Sequence, residues 1–478
     1  MHRTRKLASW ILVGLGLLFW TGALPAEAQS QSCTASASWA TSPSPPPIRK
    51  LDPASVCQFY QFSWQAFLWL TQPDPKEGGA LSFETYPQTQ NVILPPPQDA
   101  STTNTTCVDR DERNGRTRLF LPRAAKMRDA TTMDAFNQAK LNGVLVDQND
   151  KVTFYEEFVD PYVFVPFVQA CQLTTQHVCQ TVPSAQSLRI PAGAIELKVS
   201  WRPIAANDPN YGRFYVLQNV TYQDPQTNQC VTGDMALVGF HLVYATPGHP
   251  EMVWATFEHI ANAPNGPCLQ GQTTTPPAGF TTWTYNNPKS TSCDGVNEWV
   301  TPPPKTGPYP ITQAFRNWAY GTLPTDTTGN VQTIESLNSS VAGILPARSV
   351  WHNYFLVGAV WTAKGALPAI PPFVANSASN VQGSTVLANA TMETFTQLPN
   401  VHNLPPATAP YADCFSCHNN NVSAPNPPLT PLYTVSHAFG KPGTTCPWQT
   451  PPAACLATQK PIPETHADLS PVGPVASH

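Results

Sequence analysis

The chain has 478 residues, of which 12 % are charged, and a formal net charge of −4. That balance leaves neither a basic footprint for nucleic acid nor a polybasic patch for a membrane surface. The length accommodates one large core with two domains expected. Its 53 prolines are more than twice the usual ~5 %, which points to many short strands and rigid loops.

The first residues, Met-His-Arg-Thr-Arg-Lys, are basic, an apolar run follows over 8–20, and Ala26-Glu27-Ala28 forms a small-x-small site. This pattern predicts a secretory signal peptide over residues 1–28, cut after Ala28. The apolar run is too short for an anchor, and no other stretch approaches ~18 apolar residues. A mature chain without stable membrane insertion is therefore expected, in the bacterial periplasm or secreted. Residues 29–53, with Pro43, Pro45, Pro46 and Pro47, read as an extended lead-in.

Over residues 54–70, Phe59, Phe62, Ala66, Phe67 and Leu70 recur at helical spacing, and Gln72-Pro73 ends the run. This aromatic stripe reads as core packing. A shorter helix is expected over 129–141. From Lys151 the pattern turns to strands: 152–155, 163–165, the alternating stretch 195–202, and 214–220. Two apolar runs, 235–245 and 252–260, flank Thr246-Pro247-Gly248-His249-Pro250-Glu251 and predict a β-hairpin, and 354–361 reads as a late buried strand. The fold class expected is β-rich α+β. An antiparallel sandwich or distorted barrel would span 54–375 together with the N-terminal helix. Residues 376–478 would form a segment of short helices and loops, including one helix over 384–395 with Ser384 as N-cap. This segment is poor in apolar residues and is expected to dock on the β-rich body.

The sequence Cys414-Phe415-Ser416-Cys417-His418 makes that segment the expected haem-binding part of the chain. C-x-x-C-H is the attachment pattern of a c-type haem, in which both thiols form thioethers and the following His becomes the proximal iron ligand. A zinc site would need a second Cys/His pair at similar spacing. A thioredoxin-like site would follow a strand, whereas Pro405, Pro406 and Pro410 precede this one. Twelve cysteines less the two of the motif leave ten, an even number that reads as up to five disulfides in an exported chain. Cys171–Cys179 and Cys446–Cys455 are the expected local clips.

No Met follows His418, so the second iron ligand has no place downstream of the kind small cytochromes use. Met392 is the first candidate, since thioether ligation raises the potential, and His437 is the alternative. His241 and His259, both at odd positions of the hairpin, would share a sheet face under a symmetric register. That makes them candidate distal or acid–base residues, or a pair for a second metal. No G-x-S-x-G, H-E-x-x-H, P-loop or G-x-G-x-x-G pattern occurs.

The stretches 62–70, 195–202, 236–241, 254–259 and 387–394, together with the haem motif, resemble a group of large exported bacterial cytochromes c with a single haem. The resemblance implies one covalent haem c held by Cys414 and Cys417, with His418 on the iron. It supplies no substrate. The expected function is single-electron transfer to a redox partner protein. A haem-dependent oxidoreductase acting on peroxide or a small organic molecule, and a haem-based sensor or ligand-binding protein, are the alternatives.

Overall fold

A seven-stranded antiparallel sheet carries the molecule. A computed structural model describes residues 33–93, 107–120, 144–173, 189–227, 229–298, 308–363, 365, 381–397, 414–418, 436 and 452–458. A two-strand ribbon, β1 (Asp109–Arg110) and β2 (Thr117–Arg118), makes a second small sheet. The large sheet contains β3 (Phe154–Val159), β4 (Ile195–Ile204), β5 (Val216–Asp224), β6 (Gln229–Thr246), β7 (His249–His259), β8 (Tyr354–Thr362) and β9 (Val381–Gly383). Its order is β3-β4-β6-β7-β8-β9, with β5 paired to the first half of β6. The β-rich α+β, antiparallel expectation holds, and the large sheet stays open instead of closing into a barrel. The residues from Cys33 onwards form one compact unit.

Alternation along the strands assigns the two faces. Leu197, Val199 and Trp201 of β4, Phe240, Leu242 and Tyr244 of β6, and Val253, Ala255 and Phe257 of β7 face one way, into a single apolar cluster. Helix α1 (Val56–Leu70) covers this inner face. Its Phe67 stacks on Phe257 with ring centroids 4.2 Å apart, and Phe59 stacks on Trp361 at 4.0 Å. Helix α2 (Asn330–Ile344) lies beside it, its Asn338 Oδ1 accepting the Trp64 indole N–H at 2.8 Å. The sequence reading missed α2, although Ile334, Leu337 and Val341, all buried, carry a helical i, i+3, i+7 stripe.

Two local readings are corrected. Residues 163–165 open helix α3 (Phe164–Ala170) instead of a strand. The carboxylate of Asp160 accepts the backbone N–H groups of Tyr162, Val163 and Phe164, which turns the chain into a helix despite its β-branched residues. Residues 384–397 form no α-helix. They run as turns and a short 3-10 segment, because their polar groups bond to the sheet below them instead of to each other. The helix expected over 129–141 lies outside the described residues, as does the signal sequence.

Among the described residues four disulfides are present: Cys33–Cys57, Cys107–Cys230, Cys171–Cys455 and Cys268–Cys293. The Cys171–Cys455 bridge overturns both expected clips. It joins the end of α3 to helix α5 (Ala453–Thr458) across a sequence separation of 284. Proximity in sequence misled because residues 452–458 pack beside α3, far from it along the chain. Disulfides of this number are characteristic of a chain folded in an oxidising compartment. Among the described residues no helix is long and apolar enough to cross a membrane.

Candidate functional site

Residues 384–397 and 414–418 lie on the outer face of the sheet. Strand glycines prepare it. A Cβ at Gly239 would collide with the hydroxyls of Thr391 and Ser200, and one at Gly358 with the hydroxyl of Ser384. Both glycines let residues 384–397 rest directly on the backbone. Side-chain bonds then fasten this segment. Ser200 and Thr391 share a 2.7 Å hydroxyl bond, Tyr155 donates to the Thr391 carbonyl at 2.7 Å, and Asn389 donates to Thr256 at 2.8 Å. Beneath it Glu258, fully buried, accepts the Ala390 N–H at 2.8 Å and forms a two-pronged ion pair with buried Arg316 at 3.1 and 2.5 Å.

Two pleats further along the strands, Val159, Glu196, Val243, Trp254 and Val360 form a cross-strand row on this same face. Here the C-x-x-C-H stretch docks as helix α4 (Cys414–Cys417), a single turn in which the His418 N–H donates to the Cys414 carbonyl at 2.9 Å. Phe415 is completely buried in the outer apolar cluster with Val243, Trp254, Val357, Val360 and Leu387. Its ring meets Trp254 edge-on at 6.4 Å, while the His418 ring lies 4.2 Å from the indole. Cys414 packs half-buried against the cluster and belongs to none of the four disulfides. The body thus supplies one wall for residues 414–418.

The expected second ligands part company. Met392 is 1 % exposed and packs with Tyr155 on β3. Tyr155 lies in the cross-strand row of Glu258, three strands and four residues from Trp254, or roughly 20 Å at sheet spacings. His437 lies outside the described residues. Its neighbour Ser436 is buried and hydrogen-bonded to Glu196, in the row of Trp254.

His241 and His259 do not share a face, so they cannot hold a second metal together. The hairpin turns through two residues, pairing Thr246 with His249, and His241 opposes Thr256. Odd positions on β6 therefore pair with even positions on β7, the opposite of the symmetric register expected. His259 points inward and stacks on Phe214 at 3.8 Å. Its Nδ1 accepts the Ala261 N–H and its Nε2 donates to the Arg213 carbonyl, each at 3.2 Å. Burial pushes its pKa down to about 3, so it is a neutral core imidazole. Among the described residues no cluster of His, Cys, Asp and Glu is arranged to hold a metal ion.

His241 does reach the site. It stands diagonal to Trp254 across the β6–β7 ladder, about 7–8 Å away by strand geometry, and its Nε2 bonds Glu393 at 2.9 Å. The pair is partly open, with side chains 17 % and 28 % exposed. Burial works to raise the Glu393 pKa, yet His241 and then Lys198 outweigh it and hold the carboxyl below its ordinary value. Lys198 opposes His241 and Glu157 opposes Lys198, so a polar row borders the apolar one. Glu196 behaves in the opposite way. Burial, with Glu157 and Asp160 adding repulsion, pushes it up to about 8 against the hydrogen bond from Ser436. Its Oε1 is closed to solvent without a hydrogen-bond partner.

Sequence reasoning missed Trp254, Glu196 and Glu393 as site residues. Strand parity with the motif's docking face was the signal, and it becomes usable only once the hairpin register is known. No protein-family model, curated protein or solved structure matches the chain.

Proposed function

We propose that this is an exported, periplasmic or secreted, c-type haem protein that passes single electrons to and from a redox partner protein. The observation that carries this reading is the placement of the C-x-x-C-H turn. Its second residue, Phe415, is sunk in an apolar wall, which holds Cys414 and His418 at the boundary of that wall. The donor set fits a covalent haem c: two thiols on one helical turn, an imidazole one residue later, and an apolar face to exclude water. When bound, the haem supplies a one-electron ferric/ferrous couple.

The protein's own residues do the rest. Cys414 and Cys417 tether, His418 ligates, and Trp254, Val243 and Leu387 keep water from one side. For the second ligand this reading retains His437, whose neighbour Ser436 is fixed on the docking face, over Met392, which is buried at Tyr155. Expression with the haem-attachment machinery tests it. The expected result is haem that stays on the denatured chain and is lost in the double variant Cys414→Ser/Cys417→Ser. A wild-type chain without covalent haem would overturn the proposal.

The position of His241–Glu393 favours a second reading, a haem-dependent oxidoreductase with an open distal side, in which His241 moves a proton. Carbon monoxide separates the two. Slow or absent binding to the reduced protein supports the carrier, and prompt binding, with peroxide turnover lost in His241→Gln, supports the oxidoreductase.

A further inference from the structure

Trp254 is held more firmly than apolar packing requires. It lies in mid-sheet, paired with Val243 on β6 and Val360 on β8, so its backbone cannot shift without breaking two ladders. Its indole N–H donates to the Glu251 carbonyl at 2.8 Å, which fixes the ring plane. Glu251 is itself anchored. It is 1 % exposed, with its carboxylate bonded to His249 Nδ1 at 2.8 Å and to the backbone N–H and hydroxyl of Thr362 at 3.1 and 2.9 Å. Its neighbours in the row are valines, and a leucine would fill the same wall. Only an anchored indole offers a flat π-face at a set angle, and that face carries the His418 ring at 4.2 Å with a 43° tilt. The electron-rich face of an indole attracts the positive edge of an imidazole, most strongly where water is excluded.

We propose that Trp254 is the positioning residue for His418, setting the orientation of the imidazole and shielding it from water. The proposal rests on the haem-attachment reading, and the experiment keeps the two separable. The full-length chain is matured with the attachment machinery as wild type, W254F and W254L. The first variant keeps a ring without the N–H anchor, and the second keeps apolar bulk without a ring. Covalent haem is counted first, as a pyridine haemochrome, and equal loading is expected in all three. W254L should then release His418 from the iron in acid about one pH unit higher than wild type, a roughly tenfold weaker hold, with a lowered iron–imidazole stretching frequency. W254F should fall between them. In the haem-free chain the His418 ring protons should lie upfield in wild type and W254F, and return to ordinary positions in W254L.

Identical acid release and ring-proton shifts in W254L and wild type would overturn the role of Trp254. If W254L does not fold, W254F decides, and acid release unchanged from wild type overturns it. A wild-type chain without covalent haem strikes the function proposal instead, and the ring-proton shifts still decide whether the indole holds His418.

Discussion

The two faces of the seven-stranded sheet are built from alternate residues of the same strands, yet they are stabilised differently. The inner face is a continuous aromatic and aliphatic surface, covered by two regular amphipathic helices. The outer face is covered by the turns of residues 384–397 and by the short helices α3, α4 and α5. Buried Ser200, Thr256, Glu258, Asn389 and Thr391 hold residues 384–397 through side-chain bonds, and apolar packing is concentrated around Trp254 and Phe415. A face stabilised by apolar area tolerates small shifts of its cover. A face stabilised by directed bonds fixes its cover in one place, and the candidate site lies on the directed one.

The largest expected effects come from the centre of each face. Phe67→Ala, which removes a fully buried ring stacked on Phe257, should cost about 3–5 kcal/mol through lost burial and the cavity left behind. Arg316→Ala should cost a similar ~3–5 kcal/mol for another reason, since it strands the Glu258 carboxylate in the interior. The comparison sharpens with Arg316→Met/Glu258→Leu, which removes both charges and should recover most of that loss in thermal unfolding. No second substitution should restore Phe67→Ala in this way. Equal behaviour of the two faces in this pair of tests would show that the outer face is an ordinary apolar core.

The inner face was largely legible in the sequence. The helical stripe from Phe59 to Leu70, the alternation over 195–202 and the hairpin runs are periodic signals, and each becomes the element expected. The outer face was hidden because its information is not periodic. Gly239 and Gly358 look like weak points of two strands until the segment resting on them is seen. Residues 384–395 have helical composition, but their hydrogen-bonding groups are drawn to the sheet. The haem motif is legible as chemistry at any position, whereas its partner Trp254 depended on a register that the two-residue turn shifts by one.

Gly239→Ala tests the close approach directly. The added methyl meets Thr391 and Ser200, and overpacking of this kind costs about 1–3 kcal/mol. Thr391→Ala in the same chain should return part of it, measured as a gain in thermal midpoint. A pH-dependent effect is expected at Glu196. Its folded-state pKa, about 8, lies above the ordinary ~4.3 of an unfolded Glu. The protein therefore favours the protonated carboxyl, and stability is lost as pH rises from the unfolded value through the folded one. Glu196→Gln removes that loss. It should gain stability at pH 8, with Ser436 still able to bond the amide, and nothing near pH 4. A variant that gains equally at both pH values would rule out titration as the cause.

Glu393→Gln should have the smallest effect, and its pH dependence runs the other way. His241 holds the Glu393 carboxyl below its ordinary pKa. The pair's contribution is therefore complete above the unfolded carboxylate range and fades as pH falls through the folded value. With 28 % of the Glu393 side chain exposed, screening limits the contribution to under ~1 kcal/mol at neutral pH. The glutamine variant should match wild type at pH 3 and lie slightly below it at pH 7, and added salt should narrow the gap. A loss of several kcal/mol at pH 7 that ignores salt would mean that Glu393 is held like Glu258, as a buried strut of the outer face. In that case His241 would no longer be available at the rim to exchange a proton beside the haem motif, and the oxidoreductase reading would lose its acid–base residue.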